Sequence, residues 1–116
     1  ITEGRGDKER LNVLRSFTGQ SLKGPEGSAG ILLLSDTATD RPAYDSKESV
    51  SAAGRAQAIA LKFGKGRVLV QGEAAMLSAQ ISGADKHTIG MNVPGSDDRQ
   101  YVLNVLHWLS GLLREK

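Results

Sequence analysis

An α/β fold is what the sequence predicts, and three observations predict it. The stretch from Asp98 to Leu113 places Val102, Val105, Leu106, Leu109, Leu112 and Leu113 at three- and four-residue spacing, one face of a helix. Ile31-Leu32-Leu33-Leu34 is a short apolar run between Gly30 and Ser35-Asp36, the pattern of a strand buried on both faces of a parallel or mixed sheet. Gln57 to Phe63 and Arg67 to Gln71 alternate around Gly64-Lys65-Gly66, which reads as a β-hairpin with a glycine loop.

The helix has a marked start. Pro94-Gly95-Ser96-Asp97 supplies turn residues and a Ser or Asp cap, and Asp98 is favourable beside the positive helix end. Leu103 and Trp108 widen the apolar face and leave Gln100, Asn104, His107 and Gly111 as a narrow polar strip. After the hairpin, Gly72-Glu73-Ala74-Ala75-Met76-Leu77 turns to helix formers, so a strand, a tight turn and a short helix follow one another. Leu11 to Phe17 fits both alternation and helical spacing, and a strand is the better fit. Asp36 to Ala53 and Ser82 to Asp97 read as surface loops.

A chain of 116 residues is one domain's worth, with a single hydrophobic core. Hydrophobic residues at 39% and charged residues at 24% belong to a folding composition rather than a disordered one. With only five aromatic residues the core must come from Leu, Val, Ile and Ala. Fifteen basic and thirteen acidic residues give a formal charge of +2 with both signs interspersed, which argues against nucleic acid as a partner. The absence of cysteine removes disulfides, thiol nucleophiles, iron–sulfur clusters and cysteine-bound zinc. No apolar run approaches the roughly 20 residues of a membrane span.

Glu73 is the first candidate for chemistry, because it follows the Arg67–Gln71 strand, and ligands gather outside the carboxyl ends of strands in open α/β sheets. Its bland alternative is a cap on the short helix behind it. His107 is a candidate acid or base, set against the alternative of a buried, hydrogen-bonded histidine; one histidine without a nucleophile is not a triad. Glu73, His87, Asp97, Asp98 and His107 are metal-ligand types without metal-ligand spacing, so neither metal nor cofactor is expected. Gly64-Lys65-Gly66 lies between strands rather than before a helix, and a hairpin turn explains it better than a phosphate loop. A small polar ligand would sit where Glu73, the Gly90-Met91-Asn92 loop and the Arg99-Gln100 turn converge. The competing account makes Glu73 and Arg99 a structural ion pair.

Gly64 to Met76, Gly90-Met91-Asn92, Arg99 to Asn104 and His107-Trp108-Leu109, with Ile1 to Arg5 and Phe17 to Leu22, form a combination that resembles a bacterial group. That group comprises proteins of unknown function with a domain related to class I glutamine amidotransferases, and the likeness runs over about residues 1 to 113. The resemblance implies a flavodoxin-like three-layer sandwich of which this chain is the C-terminal portion, with a mixed sheet and a long C-terminal helix. It also implies a bacterial, extracytoplasmic setting and a binding or assembly role. An amidotransferase needs a cysteine activated by a histidine with a carboxylate behind it. Neither His87 nor His107 is followed by that pattern, so a non-catalytic module is expected. The alternative is a hydrolase using Glu73 or His107, with its remaining catalytic residues upstream of Ile1. A sheet lacking upstream strands would leave an edge free for self-association.

Overall fold

The computed structural model describes residues 1–113. Its regular elements are strands β1 (Ala29–Leu33), β2 (Thr39–Asp40), β3 (Val50–Ser51), β4 (Ala56–Phe63), β5 (Gly66–Gln71), β6 (Ala79–Ser82) and β7 (His87–Gly90), and helix α1 (Asp98–Leu109). Short 3-10 turns occupy Asp7–Glu9 and Ala75–Leu77. The protein is thus a mixed α/β fold with several antiparallel sheets and one C-terminal helix among the described residues.

The main sheet has the order β1-β4-β5, and β2-β3 and β6-β7 form two small two-stranded sheets. The expected hairpin forms: Ala58 to Phe63 pair antiparallel with Gln71 to Gly66. Its connection is the two residues Gly64 and Lys65, with Gly64 at φ 57°, the left-handed value that glycine adopts without steric cost in a tight hairpin.

The parallel or mixed sheet expected from Ile31–Leu34 is corrected to an antiparallel one, since every ladder among the described residues is antiparallel. A parallel return needs a long crossover, commonly a helix, and the stretch from Leu34 to Arg55 contains none. Nor is β1 covered on both faces, because Leu33 is 72% exposed. The Asp36–Ala53 and Ser82–Asp97 stretches, expected as loops, contain β2 with β3, and β7. These strands are short and mostly polar, so no apolar alternation marks them. The C-terminal helix stops at Leu109 rather than Leu113, where Ser110 and Gly111 close it with bonds back to Leu106 O and Trp108 O.

The core forms where α1 lies on β5. Met76, Tyr101 and Val105 are buried, with Ile1, Leu11, Leu14, Ile31, Leu32, Leu69 and Leu77 packed around them. Tyr101 Oη donates to Gln71 Oε1 at 2.6 Å, so the ring's one polar atom is satisfied on the sheet. Burial pushes its hydroxyl pKa up to about 12. Ala58 and Ala60 stand opposite Gln71 and Leu69 on the same face, their small side chains buried. At the far end of α1, the Arg67 guanidinium lies 5.6 Å from the centroid of the Trp108 ring and donates to Trp108 O at 2.6 Å.

The N-terminal segment is held differently. Asn104, fully buried on the polar strip of α1, donates from Nδ2 to Ile1 O at 2.9 Å and Glu9 O at 2.8 Å, and its Oδ1 accepts from Gln100 at 2.9 Å. Beside it, Arg5 grips the Glu9 carboxylate at 2.5–3.1 Å, holding that carboxyl down at about 2.

Candidate functional site

Leu11 to Phe17, expected as a strand, has no regular structure, and the reason leads directly to the candidate residues. Four of its backbone N–H groups bond to carboxylates instead of to a neighbouring strand, while Leu11 N–H donates to Thr2 O at 2.9 Å. Asn12 and Val13 donate to Asp97 Oδ2 at 2.6 and 2.9 Å, and Arg15 donates to Asp98 Oδ1 at 2.9 Å. Phe17 donates to both oxygens of Glu73 at 3.1 Å. Val13 O in turn accepts the Asp97 N–H at 2.7 Å. Three acidic side chains from two distant elements therefore grip one extended stretch.

The two aspartates at the start of α1 are driven apart electrostatically. The N–H donors of Val13 and Asn12 hold Asp97 below the ordinary aspartate range. Burial pushes Asp98 above it, opposed by the Arg15 N–H. Asp98 Oδ2 is buried without a hydrogen-bond partner. Asp97 is depressed in the folded state, so the stability it contributes is present above the unfolded aspartate value and is lost as pH falls through the folded one. Asp98 has the opposite sign, and its buried charge opposes folding above its raised pKa. Asp97→Asn is expected to lower stability at neutral pH by about 1 kcal/mol and to flatten the acid limb of the stability curve. Urea denaturation from neutral pH to pH 3 checks this, and a variant whose acid limb matches the parent's contradicts it.

Glu73 does lie just past the carboxyl end of β5, as the sequence predicts. Gly72 before it is required by close approach: a Cβ there would stand 2.2 Å from Gln20 O, while Gln20 N–H bonds Gly72 O at 3.0 Å. Glu73 is 5% exposed and neither caps the turn behind it nor pairs with Arg99, because its carboxylate is taken by Phe17. It forms part of the wall of an open cleft of about 1120 Å³. The cleft is also lined by Thr18 to Ser21, by β2 and by the residues Arg41 to Tyr44 that follow it.

Within that cleft, the Ser21 hydroxyl donates to Asp40 Oδ2 and accepts from Arg55 Nε. Arg55 also donates to Ser21 O at 3.1 Å and has its Nε 3.9 Å from the Asp40 carboxylate. Arg41 and Tyr44 stand exposed at the rim. The spacing of Ser21, Asp40 and Arg55 follows no period and carries no motif, so sequence reasoning missed all three.

The other expected ligand residues are not brought to Glu73. Asn92 donates across the β6-β7 hairpin to Gln80 O at 3.3 Å, and Gln100 bonds Asn104. Arg99 is exposed on the first turn of α1, and none of the three lines the cleft. α1 does start near the carboxyl end of β5 and runs back along it, with Tyr101 bonded to Gln71 and Arg67 over Trp108. The carboxylates at its start, however, are taken by the N–H groups of Asn12, Val13 and Arg15.

His107, on α1, has its Nδ1 buried without a hydrogen-bond partner, and it too is absent from the cleft. His87 opens strand β7, exposed, 3.7 Å from Asp85 in the preceding turn. Among the described residues no group of three or more His, Cys, Asp or Glu is placed to hold a metal ion, and no helix is long and apolar enough to cross a membrane. No family model, curated protein or solved structure matches this chain.

Proposed function

We propose that the protein is a non-catalytic module that binds a small polar ligand in the cleft lined by Glu73 and by Thr39 to Tyr44. The observation that carries this reading is the cleft itself, with acidic Glu73, basic Arg41 and the Ser21 network converging on one space. A few fixed polar groups around a concavity are what a ligand site requires. Chemistry is disfavoured by how those groups are occupied. The Ser21 oxygen accepts a hydrogen bond from a cationic Arg55, which opposes its use as a nucleophile, and no histidine lines the cleft as a base. The hydrolase alternative asks Glu73 or His107 to act as acid or base. Glu73 is committed to Phe17 and His107 does not reach the cleft wall.

The same reading takes the chain as the C-terminal portion of a flavodoxin-like, glutamine amidotransferase-like domain. What supports it is the sequence resemblance, together with a helix packed on β5; the described ladders are all antiparallel and add no parallel strand of such a sandwich. The test is an amide-shift titration of the 15N-labelled protein with free amino acids, monosaccharides and dicarboxylates. Saturable shifts at Gly19, Arg41 and Gly72 with at least one class are expected. Arg41→Ala and Tyr44→Ala should weaken them about tenfold with an unchanged melting temperature, since both side chains are exposed. No saturable shift at millimolar ligand, or equal binding by both variants, would sink the reading.

A further inference from the structure

Among the described residues β5 is the last strand of its sheet, with β4 on one side and no strand on the other. The bond from Gly72 N–H to Gln57 O at 2.7 Å fixes which of its backbone groups face β4. In an antiparallel ladder hydrogen-bonded pairs alternate with unbonded ones, so Gln57–Gly72, Ile59–Val70 and Leu61–Val68 are the bonded pairs. Leu69 and Gln71 therefore aim their N–H and C=O outward, and neither backbone has a partner among the described residues.

The side chains of this edge lack the usual guards. Natural edge strands carry proline, bulges or projecting charges that prevent pairing with another chain. β5 has no proline, its ladder with β4 is regular, and its single charged side chain, Arg67, is turned onto Trp108. Val68 and Val70 are 38% and 41% exposed on the sheet face opposite α1, where β4 adds Phe63 at 77%.

The order Val68-Leu69-Val70 is its own reverse. A two-fold axis through Leu69 sets Leu69 against its copy in a bonded antiparallel pair and each Val68 against the other chain's Val70. From this self-complementarity we infer that two copies of the chain join edge to edge through β5. The product is a continuous six-stranded sheet, β1-β4-β5 running into the same three strands reversed, with four valines meeting on one face. A strand with an asymmetric apolar pattern would favour a foreign partner; a palindromic one favours itself, because a two-fold interface must be complementary to itself.

Size-exclusion chromatography with light scattering over a range of concentrations tests this, using paired charge variants. In the two-fold register V68K/V70K sets lysine against lysine, whereas V68K/V70E sets lysine against glutamate. The parent and V68K/V70E are expected to show a dimer mass that grows with concentration. V68K/V70K is expected to remain a monomer with a melting temperature equal to that of the parent monomer. Amide exchange at Leu69 in the parent supplies a readout free of substitutions, and it should slow as the dimer forms. A parent that stays monomeric at every concentration leaves this edge to a strand of some other chain and overturns the proposal. Association that persists in V68K/V70K, or is lost equally from both variants, overturns it as well.

Discussion

Replacing Tyr101 by alanine is expected to lower the unfolding free energy by about 4 kcal/mol, close to the whole stability of a small domain. The ring is fully buried, with Met76 and Val105 in the same core cluster. Few other aromatic side chains contribute to this core: Phe17 and Phe63 are 69% and 77% exposed, and Tyr44 projects wholly into solvent. Tyr101→Phe separates packing from hydrogen bonding, because it keeps the ring and frees Gln71 Oε1, at a cost of about 1 kcal/mol. Thermal unfolding followed by circular dichroism reads both. A melting temperature for Tyr101→Ala within a few degrees of the parent would mean that the α1–β5 contact is not the centre of stability.

Asn104→Asp is expected to cost about 3 kcal/mol, although the two side chains have the same shape. Asn104 gives both its amide hydrogens to carbonyls, Ile1 O and Glu9 O. A carboxylate there would set a buried negative charge against two acceptors and lose both bonds. Protonation relieves part of this, so the deficit should shrink as pH falls toward 4. Denaturant melts at neutral and mildly acidic pH decide the matter, and an equal deficit at both values would contradict the electrostatic cause. The neutral change Asn104→Ala, which leaves the same carbonyls unpaired without adding charge, should cost about 2 kcal/mol at either pH.

The parts of this fold that were legible in the sequence are those stabilised by neighbours in sequence. The β4-β5 hairpin declares itself through alternation on either side of Gly64, and α1 through its apolar spacing and the acidic residues at its start. Leu11 to Phe17 was not legible as an irregular stretch because its partners are remote: Asp97, Asp98 and Glu73 lie 56 to 85 positions away. Nothing in its own composition says that carboxylates, rather than a strand, will accept its N–H groups.

The candidate site divides the same way. Glu73 was visible because strand ends are predictable places, and the cleft does open there. Ser21, Asp40 and Arg55 were not, since they meet only after loops of unmarked composition fold back. Asn92, Arg99 and Gln100 were grouped with Glu73 because α1 was expected to begin near the end of β5, and it does, with Tyr101 on Gln71. What local spacing does not encode is how the helix is turned about its axis: packing of Tyr101 on Gln71 and of Asn104 on the N-terminal backbone leaves Arg99 in solvent and Gln100 bonded to Asn104.

The carboxylate grip on Leu11 to Phe17 has an evolutionary consequence. Asp97, Asp98 and Glu73 recognise amide groups that every residue except proline carries, and Asn12, Val13, Arg15 and Phe17 all turn outward from the fold. The grip therefore depends on three acids elsewhere in the chain rather than on the side chains of Asn12, Val13 and Phe17, whereas the charge of Arg15 also acts on the Asp98 carboxylate. A lineage can rewrite what those three display to the outside without renegotiating how the strip is anchored. The same freedom makes these positions a natural place to graft a new recognition sequence, provided no proline is placed where an amide is held.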